Sequence, residues 1–239
     1  MADDSTSKQE TWIEVKTNGP YVIHGPIAFV RKVQVVSEHG EPLTWRKDMV
    51  IAVGDEYKLC RCGASATWPF CDATHREILF EGTETADTDT VEARRVEIGG
   101  GTGIVVYRDH TLCMESGFCG NRLANVEEMT TSTDESTIRG QVMAMIEHCP
   151  SGSFMYALRR GNPDIEPDLP RQVAVTVEVT SDGPIRGPLW VTGNIPIQRA
   201  DGQPFQTRNR VTLCNCGKSK RKPLCDGAHR RDPVILELE

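Results

Sequence analysis

Apolar positions along this chain come in short runs, and few of them carry helical spacing. Segments such as Ile27–Val36 and Gln172–Val179 are rich in β-branched residues and predict strands, with Gly-Pro pairs as the turns between them. A strand is also expected at Gly103–Tyr107. One stretch departs from this pattern. Between Asp134 and His148, residues Ile138, Val142, Met145 and Ile146 fall at i, i+4, i+7 and i+8, which predicts a helix with one apolar face. Ser132 or Thr133 is the expected cap, and Pro150 stops the helix. In the outer parts of the chain the only room for helix is just after Pro69 or Pro223, since proline suits a first helical turn.

The strand-rich pattern occurs twice. Leu59-Cys60-Arg61-Cys62-Gly63 parallels Leu213-Cys214-Asn215-Cys216-Gly217. Upstream, Glu14-Val15 aligns with Glu178-Val179, Gly19-Pro20 with Gly183-Pro184, and Gly25-Pro26 with Gly187-Pro188. Glu41-Pro42-Leu43 aligns with Gln203-Pro204-Phe205. We therefore expect two copies of one module, residues 12–80 and 173–239. Residues 81–90 are polar and acidic, and residues 161–170 carry three prolines; both read as linkers. Residues 91–160 then form a third, middle domain. The fold class expected is α+β and strand-dominated.

Composition supports small units. Hydrophobic residues make up 38% and aromatic residues 6% of the 239, which favours several modest cores held by staples over one deep core. The net charge of −7 gives no reason to expect nucleic acid or an anionic membrane as partner. The start, Met1 to Lys8, is polar and acidic, and no run of apolar residues is long enough to span a bilayer. A soluble, cytoplasmic protein is expected.

Cysteine changes the picture most. Nine cysteines, an odd number, argue against a disulfide framework. They fall into three triplets: Cys60, Cys62, Cys71; Cys113, Cys119, Cys149; and Cys214, Cys216, Cys225. The outer triplets are each completed by histidine in one spacing, C-x-C-x8-C-x3-H, ending at His75 and His229. Three thiolates and an imidazole form a full ligand set for a soft or borderline metal. Ligands one residue apart come from a tight turn, and ligands four apart share one face of a helical turn. Spacing alone leaves an iron–sulfur cluster and structural zinc both open, since zinc also takes three Cys and one His. A C-x-C first pair, in place of a C-x2-C knuckle, speaks against zinc.

The residues between the ligands read CRCGASATWPFCDATH and CNCGKSKRKPLCDGAH. They resemble the CDGSH iron–sulfur family, to which mitoNEET belongs, with the pattern C-x-C-x2-(S/T)-x3-P-x-C-D-G-(S/A/T)-H. Ser65, Pro69, Asp72 and Thr74 fit it, as do Ser219, Pro223, Asp226, Gly227 and Ala228. Ala73 departs from it, standing where the family usually has glycine. Ala73 costs nothing if the position is helical and is strained if it needs positive φ. The resemblance implies a [2Fe–2S] cluster held by Cys60, Cys62, Cys71 and His75, and another by Cys214, Cys216, Cys225 and His229. It also implies that the copies pair within the chain as a pseudo-dimer. Asp72, Asp226, Ser65 and Ser219 are candidates for hydrogen bonds supporting the ligands, or, for the aspartates, for caps. A neutral imidazole in place of a thiolate makes such a cluster easier to reduce, and its protonation loosens the cluster in acid.

The middle triplet, C-x5-C followed by Cys149-Pro150-Ser151-Gly152, resembles divergent single-cluster ferredoxin-like domains. Three thiolates suggest [3Fe–4S], or [4Fe–4S] with Glu115, Ser116, His110 or His148 as a fourth ligand. Three small buried cysteines without metal are the alternative. The glycines at 99–103 lack phosphate-loop spacing and read as a loop. Lys218, Lys220, Arg221, Lys222, Arg230 and Arg231 form a basic cluster, either solvated surface or a docking patch for an acidic redox partner.

Together these observations predict an electron-transfer protein, not an enzyme, with two [2Fe–2S] clusters and a third cluster, served by a reductase or oxidoreductase partner. Cluster transfer or storage, prompted by the histidine ligands, and a zinc-stabilised interaction module are the rivals. A monomer with internal pairing is the expected state.

Overall fold

The computed structural model describes residues 11–237; the acidic start read above and the last two residues lie outside that range. The first copy supplies β1 (Trp12–Val15), β2 (Tyr21–His24), β3 (Ala28–Val36), β4 (Pro42–Ile51), β5 (Glu56–Leu59) and a single helical turn, α1 (Thr74–Glu77). The middle segment supplies α2 (Val91–Arg94), β6 (Val96–Ile98), β7 (Val105–Arg108), a 3-10 turn at His110–Leu112, α3 (Val126–Thr130), α4 (Ser136–His148) and β8 (Phe154–Ala157). The second copy supplies β9 (Gln172–Thr180), β10 (Gly183–Thr192), β11 (Ile197–Gln198), β12 (Arg210–Leu213) and α5 (Ala228–Arg231). The fold is thus α+β and dominated by strands, as expected. Among the described residues no helix is long and apolar enough to cross a membrane.

The two copies exchange strands. One sheet runs β11-β1-β2-β5 and the other β12-β10-β9-β3-β4, so the second copy places β11 in the first copy's sheet and the first copy places β3 and β4 in the second's. Both exchanges are parallel pairings. Ile13 faces Ile197, and Phe29 faces Val173. A single apolar core results, with Ile13, Tyr21, Ile23, Phe29 and Leu59 packed with Val173, Leu189, Val191 and Leu213. Neither copy has this core alone, which is how a chain of modest hydrophobic content avoids two undersized cores.

The strand registers correct the alignment of the repeat. Tyr21 pairs with Leu59, and Leu189 pairs with Leu213. Leu59 and Leu213 each precede the first ligand cysteine, so Tyr21 corresponds to Leu189, and Gly19-Pro20 to Gly187-Pro188. Gly183-Pro184 instead opens the longer β10 hairpin, which has a bulge between Arg186 and Leu189. Ile13 and Val15 correspond to Val173 and Val175, so Glu14 is not the counterpart of Glu178. Glu41-Pro42-Leu43 leads into β4, whereas Gln203-Pro204-Phe205 has no regular structure. Matching dipeptides misled because each copy carries two Gly-Pro pairs.

The middle segment has its own sheet, β6-β7-β8, and its own core of Ile104, Val106, Val126, Val142, Ile146, Phe154 and Tyr156. Its helix α4 buries the predicted face, although neither Ser132 nor Thr133 caps it. Its C-terminal carbonyls are taken instead by Arg210, which donates to the oxygens of Ile146, Glu147 and Cys149 at 2.8–2.9 Å. A buried guanidinium satisfies these orphan acceptors and opposes the negative end of the helix.

Both expected linkers are tied down. Gly82 N donates to Asn18 Oδ1, and Thr85 N and Ala86 N donate to Lys222 O. Asn209 Nδ2 donates to Pro167 O. Pro69 and Pro223 do not open helices; each lies in the loop before its helical turn, and their carbonyls accept from Cys60 N and Cys214 N.

Where the copies meet, the C-x-C-G loops touch through backbone. A Cβ at Gly63 would lie 2.5 Å from Cys216 O, and one at Gly217 would lie 2.3 Å from Cys62 O. Both glycines have positive φ, 82° and 76°. Gly63→Ala is expected to lower unfolding stability by about 2 kcal/mol, from backbone strain and displacement of the facing loop; a urea melt checks it.

A second expectation concerns Lys32, whose Nζ lies 4.0 Å above the Trp190 ring. Burial, aided by Lys47, pushes its ammonium down to about 8. Between pH 8 and the usual lysine range the unfolded chain holds more protons than the folded one, so this residue makes stability rise with pH there. Urea midpoints at pH 7.5 and 9.5 should show that increment in the native protein and not in Lys32→Met.

Candidate metal centres

Each outer site is built from the end of a strand, a tight loop and one helical turn. Cys60 follows β5, and its N–H donates to Pro69 O while Cys71 N donates to Lys58 O; Cys214 and Cys225 repeat both bonds with Pro223 and Thr212. This closes the loop so that the first and third cysteines stand side by side. The ligands then form two pairs. Cys60 Sγ and Cys62 Sγ are 3.7 Å apart, and Cys71 Sγ and His75 Nδ1 are 3.4 Å apart. Cys214 with Cys216, and Cys225 with His229, give the same 3.7 and 3.4 Å.

Those distances bear on the open metal chemistries. Two thiolates about 2.3 Å from one tetrahedral metal lie about 3.8 Å apart, and a thiolate and an imidazole about 3.5 Å apart. Each pair therefore suits one metal. Among the described residues, however, no three Cys, His, Asp or Glu side chains converge as a single ion requires. Two pairs that each fit a metal but do not share one suit a two-metal cluster better than mononuclear zinc. Histidine offers Nδ1 to this role in both sites.

The supporting residues have defined tasks. Asp72 accepts from Thr74 N at 3.0 Å and Ala66 N at 2.8 Å; Asp226 accepts from Ala228 N at 3.0 Å and Lys220 N at 2.9 Å. Each aspartate thus ties the ligand loop to the helical turn through backbone N–H groups. Hydrogen bonds from Thr74 and Ala66 hold the Asp72 carboxyl well below the usual range. Ser65 Oγ donates to Phe70 O, and Ser219 Oγ to Leu224 O. Ala73 has φ 73°, where Gly227 has φ 81°. The position needs positive φ, so Ala73 is strained, by about 1 kcal/mol.

Burial pushes the thiols of Cys71 and Cys225 up, and that of Cys62 to about 11. At Cys62, Cys71 and Cys225 a metal must therefore displace protons to bind, whereas hydrogen bonding from Cys216 lowers the Cys214 thiol to about 6.

The sites differ in their surroundings. His229 Nε2 lies 3.2 Å from Glu178 Oε1, at ion-pair distance though off hydrogen-bond alignment, and both residues are fully enclosed. Arg230 Nε donates to the other carboxylate oxygen. Against the opposing effect of burial, His229 and Arg230 hold the Glu178 carboxyl below its ordinary value. Glu178 sits on the extension of β9; β1 stops at Val15, so the first copy has no strand residue to match it. Motif reading missed Glu178 because it lies far from the motif in sequence.

The middle cysteines are neighbours. Cys113 ends the 3-10 turn, Cys119 precedes the Gly120–Asn125 bridge, and Cys149 ends α4. Burial raises the Cys119 thiol, with neighbouring Cys149 and Cys113 adding to the effect. Two proposed fourth ligands have other contacts: Glu115 is ion-paired to Arg231, and His148 Nδ1 lies 2.7 Å from Ala144 O. Ser116 is buried and its carbonyl accepts from Gln34. His110 is exposed, with its carbonyl bound by Arg221.

The basic cluster is mostly internal structure. Arg221, Arg230 and Arg231 bind residues 110–115 or Glu178, Lys218 pairs with Asp232, and Lys222 Nζ donates to Ser219 O.

A family model described as iron-binding zinc finger CDGSH type matches residues 18–76 and 186–230. Two segments of this chain are CDGSH-type. The matched segments start one residue before Gly19 and Gly187, in the register that the strand pairings give. No curated protein and no solved structure matches the chain. Both CDGSH-type segments thus carry a full 3Cys-1His set in an iron-binding family, and the two-pair geometry fits an iron–sulfur cluster at each.

Removing Glu178 leaves Arg230 and His229 facing an apolar void. Glu178→Ala is expected to destabilise the metal-loaded protein by about 3 kcal/mol, the usual cost of breaking a buried ion pair; denaturant midpoints measure it.

Proposed function

We propose that this protein transfers electrons through two [2Fe–2S] clusters, at Cys60, Cys62, Cys71 and His75 and at Cys214, Cys216, Cys225 and His229, and a third cluster at Cys113, Cys119 and Cys149. The observation that carries the reading is the pairing of donors at 3.7 and 3.4 Å in both CDGSH-type segments. Bound iron–sulfur clusters accept and return single electrons. The chain's own residues hold them in place: aspartates and serines fix the loops, and imidazole Nδ1 replaces one thiolate and so removes one negative charge. The third cluster is supported by the gathering of three cysteines between the 3-10 turn, the bridge and the end of α4, and takes [3Fe–4S], or [4Fe–4S] with a non-cysteine ligand.

Proximity favours relay among the sites. Cys113 O accepts from Arg221 of the second ligand loop, and the second loop touches the first through Gly217 and Cys62. The protein is a carrier in the cytoplasm, and its redox partner is a reductase or oxidoreductase. Cluster transfer is the second reading, favoured by one feature: Cys71 and His75 are half-buried beside an open cleft.

Anaerobically purified protein should be brown, contain iron and acid-labile sulfide, and bleach with dithionite. EPR should show a reduced-state signal from the outer sites and an oxidised-state signal from a [3Fe–4S] centre, the latter lost in Cys119→Ser. Colourless protein with stoichiometric zinc and no sulfide would overturn the proposal.

A further inference from the structure

The two CDGSH-type sites share one geometry but not one enclosure. In the second, Cys225 and His229 are each 2% exposed. In the first, Cys71 and His75 are half-buried and open onto a cleft of about 860 Å3 lined also by Lys58, Arg76 and Leu79.

Besides Glu178, which faces His229, the middle segment packs against the second site. Arg221, in the second ligand loop, donates to His110 O at 2.7 Å and Cys113 O at 2.9 Å. Arg231, beside ligand His229, lies 3.0 Å from Glu115 Oε1. Glu115 packs so closely that a Cβ on Gly227 would come within 2.7 Å of its Oε2. Residues 110–115 thus close over the loop and helical turn that carry the second ligand set. Ala73, at the equivalent place in the first site, has a Cβ despite its positive φ. The one departure from the motif therefore falls at the site that lacks the roof.

We propose that the first site is where this protein exchanges its metal centre with chelators and acceptor proteins, and that residues 110–115 are a latch that retains the centre at the second. The proposal rests on the iron–sulfur reading of both sites. Opening the second site breaks the bonds of Arg221 and Arg231 to residues 110–115. The first site's own charge-assisted bonds, from Arg61 to Lys16 O and Gly82 O, still leave Cys71 and His75 half-buried. Release from the second site is therefore slower by roughly tenfold or more.

The test follows loss of the cluster-bound imidazole nitrogen signal, by pulsed EPR of reduced samples taken during exposure of the full chain to excess EDTA. In a His110→Ala, His148→Ala background, which removes the candidate imidazole ligands of the middle centre, this signal comes from the two outer His-ligated sites alone. Protein of this background should lose it in two phases of equal size, and adding His75→Cys should retain the slow phase alone. One common rate, or a fast phase surviving in His75→Cys, overturns the assignment. Arg221→Ala combined with Glu115→Ala should speed the slow phase to match the fast one and leave the fast one unchanged. A slow phase that stays slow overturns the latch. Should that variant fail to fold, Gly227→Ala carries the same test, because it displaces Glu115 and alanine is already accommodated at residue 73. Protein without sulfide or imidazole coupling overturns the iron–sulfur reading, and this inference with it.

Discussion

Gly63 and Gly217 lie where any side chain would strike the carbonyl of the opposing loop's second cysteine. That backbone contact, with the two parallel strand exchanges around it, ties the molecule together. Each ligand loop rests on its counterpart, each sheet includes strands of the other copy, and the common core belongs to neither copy alone. Even side-chain support crosses over: Tyr21 of the first copy donates its hydroxyl proton to Cys214 O of the second site at 2.8 Å. Metal ligands must be held to within tenths of an ångström, and mutual bracing of two short loops does this without a large core.

Within this near-symmetric frame, the inserted middle segment breaks the equivalence. It docks on the second copy through arginines: Arg208 to Ser151 O and Gly152 O, Arg210 to the end of α4, and Arg221 to the 3-10 turn. Arginine suits this work because its planar fork satisfies several carbonyls at once and stays charged when buried. The same copy lengthens β9 and so brings Glu178 to His229. One donor set therefore occurs in two environments, one roofed and paired with a carboxylate, the other open.

The Cys/His sets, their spacing, the duplication and the helix α4 were all legible in the chain because they are local. A C-x-C turn, a Cys-x3-His turn and a 3.6-residue apolar stripe are each set within a few residues. The expected strands at Ile27–Val36 and Gln172–Val179 likewise match β3 and β9 to within a residue or so. The alignment of the repeat was not legible, because each copy carries two Gly-Pro pairs and only the pairing of Tyr21 with Leu59 and Leu189 with Leu213 picks the right match. Nor could residues 81–90 be recognised as ordered, since their partners, Asn18 and Lys222, are remote in sequence.

The amino-acid order thus determined which residues form the Cys/His sets and that the set occurs twice, since such spacing is a property of a short stretch of chain. Tertiary structure decided what those sites are to each other. Strand exchange set the two loops back to back, and the insertion enclosed only one. Such relations depend on contacts between residues scores of positions apart, which no local pattern encodes.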